Sequence, residues 1–95
     1  MDDEIFKKVM EDLIKEGVIR LYHPKLSRYV LYLILNADRS VIEEIAKKYD
    51  ISPEQIYNMT TSKIARILGE LENVTKIKMS NGYRYMINDL NDRKK

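Results

Sequence analysis

The apolar residues of this chain change period once, and that change bounds the fold. Up to residue 72 they recur mainly at steps of three and four, the spacing that lines one face of an α-helix. After residue 74 they alternate along two short runs that flank Ser80-Asn81-Gly82-Tyr83. Asn-Gly between β-formers is the strongest short-range hairpin signal, because a type I′ turn needs positive φ twice. The expected fold class is therefore mainly α with one small β-hairpin at the C-terminal end.

Length and composition narrow the functions. Ninety-five residues make one small domain, with no room for a second lobe. Charged residues are 34% and hydrophobic ones 44%, a globular balance. Cysteine is absent and His23 is the single histidine. Disulfides, thiol catalysis and Cys-based metal sites are thereby excluded, and a His-based metal site would need unusual help from carboxylates. No cofactor and no metal site are expected. Nucleophile–base pairs and ligand clusters are missing, so the chain does not read as an enzyme. The longest strongly apolar run, residues 29–35, is far too short for a membrane span. The acidic start Met1-Asp2-Asp3-Glu4 is unlike a secretory signal, and a cytoplasmic protein is expected. Abundant Lys, Glu and Ile with a single Gln give a thermophile-like composition.

Local signals divide the chain further. Residues 3–16 read as an amphipathic helix with Phe6, Val9, Met10, Leu13 and Ile14 on one face. Its opening acids Asp2, Asp3 and Glu4 suit the helix dipole, and Gly17 suits a stop. Residues 18–22 are β-branched and aromatic and suit a short strand. Pro24 opens a helix over 25–37 that is apolar most of the way round. Ser40 and Glu43 fit a capping box for a third helix, which Asp50 ends. Ser52-Pro53-Glu54-Gln55 starts a helix of one or two turns. Asn58 and Thr60-Thr61 are poor interior residues and good caps, so a new helix is expected from 61 to 72, the alternative being one bent helix over 53–72. Ile64, Ile67, Leu68 and Leu71 form its stripe.

From Ser40 onward the order of elements resembles the winged helix-turn-helix superfamily. Ile42-Glu43-Glu44-Ile45-Ala46-Lys47-Lys48-Tyr49 match its positioning helix, and Asp50-Ile51-Ser52 its turn. Thr61-Ser62-Lys63-Ile64-Ala65-Arg66-Ile67-Leu68 look like its recognition helix, and residues 74–87 like its wing. The resemblance covers about half the chain, residues 40–87. It implies a winged helix-turn-helix with an extra N-terminal helix: an extension over 1–23, a core over 24–88 and a frayed tail over 89–95. Residues 53–60 lengthen the family's connection, which leaves both 53–59 and 61–72 as segments that could enter a groove.

The resemblance implies duplex DNA as partner, and the residues agree independently. The exposed side of helix 61–72 carries Thr61, Ser62, Lys63 and Arg66 towards its start, and Glu70 and Glu72 towards its end. Cations and free N–H groups at a helix N-terminus suit phosphates and base edges. A solvated amphipathic helix would show the same pattern. An Asn81-Gly82 turn pairs 80 with 83, 79 with 84, 78 with 85, 77 with 86 and 76 with 87. One face then holds Ile77, Met79, Met86 and Arg84 and can cover the helices. The other holds Lys76, Lys78, Tyr83, Tyr85 and Ile87, a mixture of cations and aromatics common on nucleic-acid surfaces.

Net charge is only +2, but residues 1–24 carry −2 and residues 60–88 carry +3. Two functions fit. The first is double-stranded DNA binding by a transcriptional regulator, through Thr61, Ser62, Lys63, Arg66, Lys76, Lys78, Tyr83 and Arg84. The second is a winged-helix protein-interaction subunit of a replication or transcription complex, with helix 3–16 or 25–37 meeting a protein partner. Either helix would also serve a homodimer.

Overall fold

The computed structural model describes residues 3–88. The chain is mainly helical and ends in a two-stranded antiparallel hairpin. In order it forms α1 (Asp3–Lys15), α2 (Ser27–Leu35), α3 (Arg39–Lys48), α4 (Pro53–Tyr57), α5 (Thr61–Glu70), β1 (Val74–Met79) and β2 (Gly82–Ile87). The expected tail, 89–95, lies outside the described residues.

Most helix boundaries follow from local chemistry. Gly17 takes φ +80°, and the amides of Gly17 and Val18 donate back to the carbonyls of Ile14 and Leu13. This pair of bonds closes α1 by satisfying two of its orphan carbonyls. Asp50 closes α3 in the same way at φ 58°, with Asp50 and Ile51 donating to Lys47 and Ala46. It is the one non-glycine residue with positive φ among the described residues. Pro53 opens α4, where Gln55 Oε1 accepts from the Ser52 amide at 2.9 Å. Thr60 caps α5 by accepting from the Lys63 amide at 3.1 Å. The break between α4 and α5 thus falls at residues 58–60, as the caps imply.

Four local expectations are corrected. Helix α2 is shorter than 25–37, because Leu26 is its N-cap and Asn36 its C-cap. The cap of α3 is Asp38 rather than Ser40: Asp38 Oδ1 accepts from the Ser40 amide at 3.0 Å and from its hydroxyl at 2.9 Å. Those bonds hold the Asp38 carboxyl below its ordinary pKa. Glu43 instead pairs with Arg39 one turn earlier, at 2.8 Å. Helix α5 stops at Glu70, two residues early, and Leu71 turns to extended geometry at ψ 135°. Residues 18–22 form no strand. The amides of Val18 and Ile19 bond back to Leu13, and the Leu21 carbonyl accepts from Ile87 of β2. A little further on, Lys25 exchanges both backbone bonds with Tyr85, at 2.9 and 2.8 Å. The passing chain therefore covers the edge of β2.

The hairpin departs from expectation in register and in facing. Its strands pair Val74 with Ile87, Lys76 with Tyr85, Lys78 with Tyr83 and Met79 with Gly82. That is a slip of two residues from an Asn81-Gly82 turn. The loop is Ser80-Asn81, Gly82 opens β2 at φ +132°, and Asn81 is not among the residues with positive φ, so the turn is not type I′. A slip of two leaves each side chain on its own face. The face that covers the helices is nevertheless the other one. Tyr85 is 1% exposed and Val74 is buried, with Ile87 packed beside them. Met79, by contrast, is 43% exposed. Tyr85 presents a far larger ring to the helices than Ile77 or Met86 could. Its burial also pushes the hydroxyl pKa up.

One core joins all the elements. Phe6, Val9, Met10 and Leu13 of α1 pack with Val30 and Ile34 of α2, Ile42 and Ile45 of α3, Ile56 of α4, and Ile64, Ile67 and Leu68 of α5. Helix α1 is therefore part of that core. It is tied to α3 by Asp12, whose carboxylate accepts from Tyr49 Oη at 2.7 Å and from Lys48 Nζ at 2.9 Å.

Candidate nucleic-acid interface

The first turn of α5 emerges from the Thr60 cap with Ser62 and Arg66 exposed and Thr61 and Lys63 half-buried. The stripe Ile64, Ile67 and Leu68 is fully buried, so the helix presents the polar side that its sequence implies. That side is not free. Asp3, in the first turn of α1, lies across it. Arg66 Nε donates to Asp3 Oδ2 at 3.1 Å, and Nη2 lies 3.2 Å from Oδ1 and 3.0 Å from Oδ2. Lys63 Nζ sits 3.8 Å from Asp3 Oδ1 and 4.0 Å from the centre of the Phe6 ring. The two cations expected to meet DNA are thus held together by one carboxylate and one aromatic ring of α1. Phosphate contacts would have to displace Asp3.

The wing carries a second set of cations. Lys76 and Lys78 alternate with Tyr85 and Tyr83 across the strands, on the face that meets the helices. The stem of Lys76 crosses Gly69 of α5, and its Nζ lies 4.2 Å from the centre of the Tyr83 ring. A side chain at 69 would stand in ordinary contact with that stem, 3.6 Å from Cδ. Tyr83 itself is 42% exposed. Among the described residues no carboxylate pairs with Lys76 or Lys78. Arg84 points the opposite way, opposite Ile77, and its Nε is buried with no hydrogen-bond partner among the described residues.

The eight expected contact residues therefore fall into three groups. Thr61, Ser62, Lys63 and Arg66 share the first turns of α5, where Asp3 holds Lys63 and Arg66. Lys76, Lys78 and Tyr83 share the inner face of the wing and its rim. Arg84 stands on the outer face. A fourth group escaped sequence reasoning. Through its bridge to Tyr85, Lys25 stands in the same cross-strand row as Lys76. Directly opposed residues point to one side of a sheet, so Lys25 and Lys76 flank Tyr85 about 10 Å apart. The available signal was the run Lys25, Arg28, Tyr29, Tyr32, at helical spacings of three and four.

Among the described residues no three His, Asp or Glu side chains come close enough to share a metal ion. None of the described helices is long and apolar enough to cross a membrane. A surface groove lies between α1, residues 17–22 and the α5–β1 turn. It mixes Lys7 and Arg20 with Glu11 and Glu70, so it favours neither sign of ligand. Comparison with known protein families, with curated proteins and with solved structures found no match to this chain.

Proposed function

We propose that the chain is a winged helix-turn-helix module that binds duplex DNA, with the wing as its standing phosphate contact. The observation that carries this reading is the contrast between two sets of cations. Lys76 and Lys78 have no carboxylate partner among the described residues, whereas Lys63 and Arg66 are held by Asp3. The order α3, α4, α5 and hairpin supports the winged-helix part of the proposal. Helix α4 is a single turn with Ile56 buried beneath it, and Lys63 and Arg66 of α5 are held against α1, which counts against α5 as a recognition helix and leaves the contact to the wing.

Binding by the wing neutralises about two or three phosphates. The logarithm of affinity should then fall with the logarithm of salt at a slope of about −2 to −3. Fluorescence anisotropy on a random duplex over a salt series tests this. The Lys76→Glu/Lys78→Glu variant should lose the binding and the slope together. No salt-dependent binding to any duplex would refute the proposal.

The protein-interaction reading keeps one supporting observation. Tyr22, Tyr32 and Leu35 are 69%, 59% and 54% exposed, and α1 spends its apolar face in the core. Of the two helices expected to meet a protein or a second copy, α2 is thus the one with apolar side chains to offer. A specific protein captured without DNA, through a surface lost on Leu35→Glu, would favour this reading over the first.

A further inference from the structure

The outer side of α2 carries an arrangement that neither the wing nor α5 explains. Arg28, Tyr32 and Leu35 follow one another at helical spacings of four and three, so they share a face. The rings of Tyr29 and Tyr32 stack, with centroids 6.2 Å apart and planes 25° from parallel. Lys25 Nζ lies 5.0 Å from the centre of the Tyr29 ring. Tyr32 is 59% exposed, so the stack ends on a ring open to solvent. Among the described residues no carboxylate pairs with Lys25 or Arg28. Tyr85, which separates Lys25 from Lys76, is buried, so the open strip consists of Lys25, Arg28, Tyr32 and Leu35.

We infer that this strip binds an unpaired nucleic-acid strand, with one base stacked on Tyr32 and the backbone running along Arg28 and Lys25. Two physical reasons select that ligand. The first is charge. A partner here must bring negative groups to Lys25 and Arg28, which no carboxylate of the described residues neutralises. A nucleic-acid backbone carries one on every residue, and a protein would need matched carboxylates. The second is the open ring. In a duplex both faces of each base are covered by its neighbours, so a tyrosine can stack only on a base that has left the helix. Stacking is tolerant of sequence because every base has a π-face. Single-stranded DNA and single-stranded RNA share this chemistry. The inference does not rest on the duplex proposal, since Arg28, Tyr29 and Tyr32 take no part in that.

The test is fluorescence anisotropy at low salt with labelled oligothymidylate and oligouridylate about fifteen nucleotides long, beside a random duplex. The wild-type protein should bind at least one of the single strands, and the preference between them identifies the sugar. Tyr32→Ala should weaken that binding about tenfold or more, whereas Tyr32→Phe keeps it, because the ring and not the hydroxyl is used. Tyr32 is exposed, so the fold should survive, and an unchanged thermal melt checks this. Lys78→Glu, at the wing, should weaken the duplex more than the single strand. If the wild-type protein binds neither oligonucleotide, the inference is overturned whatever the duplex does. Equal loss for strand and duplex in Tyr32→Ala would also overturn it. So would a fall in molecular mass in that variant, which would assign the surface to a second copy of the chain. If instead the strand binds and the duplex does not, the duplex proposal fails and this one stands.

Discussion

Asp3→Asn separates what α1 does for the fold from what it does to α5. The aspartate holds Arg66 through contacts of 3.0–3.2 Å and Lys63 at 3.8 Å. The side chains of Asp3 and Arg66 are 44% and 54% exposed, so water screens the pair. An exposed pair contributes about 0.2–1 kcal/mol. An acid in the first helical turn adds about 0.3–1 kcal/mol through the dipole. The substitution should therefore cost about 1 kcal/mol, and a chain of this size should melt roughly 4–8 °C lower. The effect on DNA has the opposite sign. Freeing Lys63 and Arg66 offers two more cations to phosphate, and each adds about −0.9 to the salt slope. The slope should steepen by about −1.8, and affinity should rise most at low salt. Anisotropy on a random duplex at several salt concentrations measures both quantities. Adding Lys63→Glu/Arg66→Glu to Asp3→Asn should return the slope to its wild-type value. If Asp3→Asn lowers the melting temperature and leaves the slope unchanged, α5 makes no phosphate contacts. The ion pair would then be structural alone.

Three further outcomes follow from the packing. Asp50 closes α3 in a left-handed conformation that costs a residue with a Cβ about 1–2 kcal/mol. Asp50→Gly should thus raise the unfolding free energy, read from denaturant titration, by up to about 1 kcal/mol, and Gly17→Ala should lower it by a similar amount or more. Burial of Asp12 alone would raise its pKa, but hydrogen bonds from Tyr49 and Lys48 outweigh that and hold it below the ordinary value. Its contribution to stability is therefore present above the unfolded carboxylate pKa of about 4 and is lost as pH falls through the lowered folded value. On the alkaline side, the hydrogen bond to Asp12 raises Lys48, and burial followed by the bond to Asp12 raises Tyr49. Their contributions are present below about pH 10 and are lost as pH climbs through the raised values. Thermal melts across pH should show both losses, and Asp12→Ala should flatten both limbs while costing about 1–3 kcal/mol at neutral pH. Tyr85→Ala should cost about 3–5 kcal/mol, read from urea unfolding, because it empties the contact between hairpin and helices. A cost near zero would mean that the wing does not depend on that ring.

Much of the fold was legible because its signals are local. Caps act over three or four residues, so Gly17, Asp50, Pro53 and Thr60 announce where helices stop and start. The apolar stripes of α1, α3 and α5 are periodic, and a periodic stripe names the buried residues before any partner is known. The errors also have local causes. Asp38 and Ser40 are both good caps two residues apart, and only the chain's approach to α3 selects between them. Both hairpin faces carry apolar residues, Ile77, Met79 and Met86 on one and Val74, Tyr85 and Ile87 on the other. Alternation says that two faces exist and does not say which one the helices leave room for.

The sequence by itself determined that short helices precede one hairpin, and that acids thin out over residues 60–88, which leaves a net charge of +3 there. Both follow from residue type and short-range spacing. The tertiary structure alone decided which cations are free. Asp3 and Arg66 are separated by 63 positions, and no periodicity links them. They meet because α1 and α5 bury their stripes in the same core, which sets their first turns side by side. In the same way Lys25 joins Lys76 only because residues 21–25 lie along β2. Charge along a chain adds up residue by residue. Charge on a surface depends on which helices share a core, because that decides which carboxylate stands within reach of which cation.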